Sequence, residues 1–152
     1  MNEFNYTRFA LKEVEDAVTN YKNGNVDIHI IYYKFTTLIF WVGAFLDKKH
    51  NEIKVEDKQA ELAIRFAWNV LKHDKTIFKI VQKAYVLTGN CEKTLNSANL
   101  ISRQTIIWND LNDTNIKNKN GLEEYNDIFM HAELGNTFKI IKNIVEKYCV
   151  DI

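Results

Sequence analysis

A chain of 152 residues with 20 basic and 20 acidic side chains has no net charge, which excludes a surface that grips phosphate backbone or anionic lipid over its whole extent. At 46% hydrophobic and 26% charged it has the composition of a soluble globular protein, and its length suits one domain spanning 1–152. The absence of proline and the count of only 5 glycines favour helices over a sheet with many tight turns.

Phe9, Leu11, Val14, Ala17, Val18 and Tyr21 recur at helical spacing, so a first helix is expected from about Phe4 to Tyr21. The opening residues are acidic and amphipathic, unlike a signal peptide. KNGNVD follows, with Gly24 available for a left-handed turn. The run IHIIYYKFTTLIFWVGAFL, residues 28–46, is apolar nearly all round, but His29, Lys34, Thr36 and Thr37 interrupt it. It reads as the central helix of a bundle, continuing to about His50, rather than as a membrane span. No membrane partner is expected, and the expected location is cytoplasmic.

After the polar break KKHNEIKVED, Asp57 can cap a third helix that runs to about His73, with Glu61 just inside it. Asp74 can cap a short fourth helix, KTIFKIVQKAY. From Leu87 to Asn120 the pattern changes. This stretch holds two turn signals and one strand-like run, RQTIIW, so an irregular insert or short β-hairpin is expected over 87–120. NDTNIKNKNG within it should be an exposed, mobile loop with only Ile116 to bury. Leu122, Tyr125, Phe129 and Ala132 form a further helical stripe, which Gly135 should end. Thr137, Phe138, Ile141, Ile144, Val145 and Tyr148 form the last. The expected fold is therefore an all-α bundle of five or six helices with one irregular or β-hairpin insert.

The third helix carries the candidate chemistry. Ala60, Ala63, Ile64, Ala67, Val70 and Leu71 share one face, the core seam. Arg65, Asn69 and His73 lie one turn apart on roughly the opposite face, with Lys72 close by and Leu62 and Phe66 at their border. One reading makes this row the outer surface of a structural helix, its apolar border covered by the insert or by a partner. The other makes it a nucleotide-facing site. In that site Arg65 holds a phosphate, Asn69 orients it and His73 acts as acid or base. The ribose 2′-hydroxyl would be the nucleophile, so no metal is needed.

Other chemistries have little to build on. His29, His50, His73, His131, Cys91 and Cys149 show no metal-ligand spacing, so no metal or other cofactor is expected. The cysteines read as reduced structural thiols, and His131 as a partly buried helix residue. TGN at Thr88 is a turn rather than a phosphate loop, and no GxSxG elbow is present. Trp41 reads as core, Trp68 as a border residue beside Arg65, and Trp108 as the pin holding the insert to the bundle.

WNVLKHD, residues 68–74, resembles the motif of HEPN domains, small α-helical bundles of bacterial toxins, abortive-infection proteins and CRISPR effectors. That motif is an arginine, a polar residue, three variable residues and a histidine. Asn69 and His73 match its polar residue and histidine, and Asp74 follows as it often does. Trp68 stands where the motif has arginine, one of the two residues on which the family's metal-independent ribonuclease activity depends. Arg65 lies one turn earlier on the same face. The later order, a strand-like run ending in WNDL and then tyrosine-containing helices, is similar to proteins of low-GC bacteria and their phages.

The resemblance implies an HEPN-like bundle that homodimerises through the 57–73 helix, with the apolar border of Leu62 and Phe66 in the interface. It implies one of two roles in bacterial defence, toxin or mobile-element biology. With the arginine lost, the protein is a non-catalytic interaction module for another protein. With Arg65 in its place, the protein is a ribonuclease acting on RNA through Arg65, Asn69 and His73.

Overall fold

The computed structural model describes residues 2–22, 27–86 and 100–149. The described chain is predominantly helical, with one antiparallel β-hairpin inserted between the third and fourth helices. Helices α1 (Glu3–Lys22) and α2 (Ile28–Lys49) pack antiparallel: Glu3 pairs with Lys48 near one end, and Glu13 with Lys34 further along. The position of Gly24 lies outside the described residues. Asp27 caps α2 by accepting from the His29 backbone N–H at 2.8 Å, while Lys48 and Lys49 sit at the opposite end of its dipole.

Ile31, Phe35, Leu38, Ile39, Val42, Phe45 and Leu46 of α2 are all buried. The helix is long and apolar enough by length and composition to cross a membrane, and its inner face forms the centre of this core, as expected. Two short 3₁₀ turns, His50–Glu52 and Val55–Asp57, lead to α3 (Lys58–Lys72). Ala63, Ile64, Ala67 and Val70 are buried along the expected seam, with Ala60 and Leu71 partly buried against it. Asp57 occupies the N-cap position of α3, but its side chain caps nothing. Its carboxylate instead accepts from Lys147 at 2.7 Å and from the Tyr148 hydroxyl.

The expected short helix after Asp74 is a strand. β1 (Phe78–Val86) pairs antiparallel with β2 (Leu100–Trp108), in register from Phe78 opposite Trp108 to Val86 opposite Leu100. Two physical reasons decide against the helix. Asp74 has φ 56°, a left-handed conformation that ends α3 rather than starting a new helix. The run that follows also finds an antiparallel partner in the strand that contains RQTIIW, which satisfies its backbone groups without a helix. The hairpin predicted within the insert is therefore present, and it begins earlier than 87. The segment between its strands, with Cys91 and the turn at Thr88, lies outside the described residues.

The root of the hairpin is locked into the core. Trp108 is fully buried, stacks on Phe129 at 4.2 Å and donates its indole N–H to Thr137 Oγ1 at 2.8 Å. It pins the insert as the sequence suggested. The following loop leaves its polar side chains exposed or half-buried and buries Ile116, again as expected.

The last two helices are α4 (Leu122–Ile128) and α5 (Leu134–Tyr148). Gly135 does not end a helix; it lies in the first turn of α5. The break comes earlier because β2 captures the backbone there. His131 N–H donates to Trp108 O, and Trp108 N–H to Ala132 O, both at 3.0 Å. His131 is consequently an exposed turn residue with φ 65°, not a partly buried helical one. α5 runs antiparallel to α1, tied by Lys142 to Glu15 and by the buried Cys149 thiol to Phe4 O.

Candidate functional site

The Arg65, Asn69 and His73 row is present on α3, and its three members have different fates. Arg65 is half-buried and committed to two carboxylates. Its Nη2 donates to Asp47 Oδ1 at 2.7 Å, and its Nη1 approaches Glu61 Oε1 at 3.5 Å. Glu61 is 1% exposed and also accepts from Lys58 at 3.0 Å, so it is a buried acid shared by two cations. The Glu61–Arg65 spacing of i, i+4 is a helical ion-pair signal legible in the sequence. Asp47 comes from the end of α2 and is brought in only by folding.

Asn69 and Arg65 line a small notch of about 90 Å³, together with Leu62, Trp68 and Lys72 of α3, Asp47 of α2, and Asn118 and Asn120 of the loop opposite. Among the described residues the Asn69 amide has no partner, and the buried Arg65 Nε and Trp68 Nε1 N–H groups donate to nothing. The Lys72 ammonium lies 3.7 Å over the Trp68 ring, a cation–π contact. The notch combines these donors with the Asp47 carboxylate and is large enough for about three waters.

His73 does not line it. It is exposed at the C-cap of α3, and among the described residues its imidazole has no partner. Along the helix axis it lies about 12 Å from Arg65. A general base and the cation that holds the phosphate must reach the same phosphodiester group, and only Arg65 of the two lines the notch.

Trp68, at the motif's arginine position, fills a structural place. Its side chain packs on Gly43 of α2, where any Cβ would collide with the indole. The apolar border of the row is also partly covered from within. Phe66 is 1% exposed and packs against Tyr125 at 5.8 Å, while the Leu62 carbonyl abuts Gly121. Phe66 of that border is therefore already covered by α4, while Leu62 stays half-buried at the edge of the notch. No group of three or more potential metal ligands gathers among the described residues.

The geometry defines a helical bundle with an inserted β-hairpin and a small notch on α3. Comparison with protein-family models, with curated proteins and with solved structures gives no match.

Proposed function

We propose that this protein is a non-catalytic interaction module, a helical bundle that works by binding rather than by cleaving RNA. The observation that carries this reading is the state of Arg65. Its guanidinium is taken up by Asp47 and Glu61. Both contacts must be broken, and the buried Glu61 left to Lys58 alone, before the arginine can clamp a phosphate. Trp68 serves packing where the HEPN motif has its catalytic arginine. His73 stands apart from the notch. The setting, bacterial defence, a toxin system or a mobile element, comes from the resemblance of WNVLKHD to HEPN domains.

The test is induction of the wild type, Arg65→Ala and His73→Ala in a bacterial host, with growth followed and total RNA run on a gel. Normal growth and intact RNA in all three are expected, and a pull-down with the wild type then identifies its partner. Toxicity with RNA fragments, lost in both variants, overturns the reading and makes the protein a ribonuclease.

A further inference from the structure

We propose that the outer face of α2 is a homodimer interface, in which two copies of this chain pack α2 against α2, antiparallel, about Thr37. This inference concerns a face away from the α3 notch and does not rest on the reading of that notch.

Ile30, Tyr33, Thr37, Phe40, Trp41 and Ala44 follow one another along the solvent side of α2. The stripe is about 21 Å long and its own residues are uncharged, with the Lys34–Glu13 ion pair at its edge. Tyr33 is 69% exposed, Ile30 46% and Phe40 41%. α1 widens it with Phe9 at 63% and Tyr6 at 37%. The patch is continuous, since Tyr6 stacks on Trp41 at 4.5 Å and Phe40 meets Trp41 edge-on at 5.3 Å. A groove of about 470 Å³ runs between the two helices beside Tyr33 and Phe9. These five side chains leave about 500 Å² of largely apolar surface in water. That is the size of the apolar centre of an interface burying about 800 Å² per partner, and single scattered hydrophobic residues do not account for it.

Charge selects a second copy as the occupant. Asp27 and Lys48 stand at the two ends of α2, each about 16 Å from Thr37 along the axis. Both are exposed. An antiparallel pairing about Thr37, at the shallow crossing angle of about 20°, sets Asp27 of each copy opposite Lys48 of the other. The two contacts are related by the twofold axis, as an isologous interface requires. The same pairing places the N-terminus of each α2 against the C-terminus of the other, which suits the helix dipoles. Thr37 is the small residue at the axis, where the helices come closest, and Tyr33 of one copy meets Phe40 and Trp41 of the other. The chain has equal numbers of acidic and basic side chains, so no net repulsion opposes association.

The experiment is the solution mass at micromolar concentrations, by light scattering or sedimentation. The wild type is expected at twice its 17.9 kDa chain mass. Tyr33→Asp and Thr37→Arg, at positions outside the core, are expected to give monomers with unchanged circular dichroism. In a Cys91→Ser background, Thr37→Cys is expected to cross-link with a short bis-maleimide. Val55→Cys, at a residue 89% exposed on another part of the molecule, is expected not to. A monomeric wild type overturns the proposal, including one whose Tyr33 face captures a different protein. So does a dimer that survives both variants and leaves Thr37→Cys uncross-linked. RNA cleavage by the wild type would sink the reading of α3 and leave this interface standing.

Discussion

Arg65 Nη2 donates to Asp47 Oδ1 at 2.7 Å, joining the middle of α3 to the end of α2. Arg65 also stands beside Glu61, which is buried. The same side chain that the sequence offers as a phosphate clamp is thus part of the packing between two helices. Removing it should weaken the fold rather than an activity. Arg65→Ala is expected to lower stability by about 1 kcal/mol, because Glu61 keeps Lys58 as a partner. Glu61→Ala leaves both cations without their shared acid, and about 2 kcal/mol is expected, reduced from fully buried pairs because Arg65 and Lys58 reach solvent. Urea unfolding of the two variants measures both.

Gly43 lets α2 approach α3 where Trp68 packs. A methyl group there collides with the Trp68 Cβ and Cγ atoms, so Gly43→Ala must push the helices apart. A loss of about 2–3 kcal/mol is expected, with a change in tryptophan fluorescence. A neutral Gly43→Ala would show that the two helices are not held this closely.

Thr137 is 3% exposed and accepts the indole N–H of the fully buried Trp108. Thr137→Val keeps the shape and leaves that N–H without an acceptor, which should cost about 1–2 kcal/mol. Thr137→Ser keeps the hydroxyl and is expected to recover most of the loss. Thermal melts of the pair separate the hydrogen bond from packing. Equal loss in both would show that the packing of the methyl matters as much as the hydrogen bond.

The Asp57 carboxyl is held below the usual carboxylate range, first by the Lys147 ammonium and then by the Tyr148 hydroxyl. A folded-state pKa below the unfolded one means that ionised Asp57 stabilises the fold above about pH 4. That contribution is lost as pH falls through the lowered folded value. The stability gap between the wild type and Asp57→Asn should be widest above about pH 5 and close toward pH 2. Urea unfolding across that range checks the sign, and a gap that widens on acidification contradicts it.

The sequence by itself determined where the long helices lie. α1, α2 and α3 have apolar residues at helical spacing over several turns, and a core seam such as Ala63, Ile64, Ala67 and Val70 is a local pattern. It also determined the hairpin's second strand, because RQTIIW carries β-branched residues that need a pleated surface. It did not determine β1. KTIFKIVQKAY is a short apolar run that suits a helix or a strand, and only pairing with β2 and the left-handed Asp74 decided between them. The early break after α4 was likewise set by β2, whose Trp108 backbone claims the groups of His131 and Ala132.

For the candidate site, the sequence placed Arg65, Asn69 and His73 in one row, since that is helix geometry alone. Tertiary structure decided what the row is worth. Asp47 arrives from α2 and Asn118 and Asn120 from the loop, from residues far away in the chain. The burial of Phe66 depends on Tyr125 of α4. Spacing along one helix fixes which side chains share a face, but neutralisation and burial depend on the elements packed against it. Those elements turn Arg65 toward two carboxylates and leave His73 outside the notch.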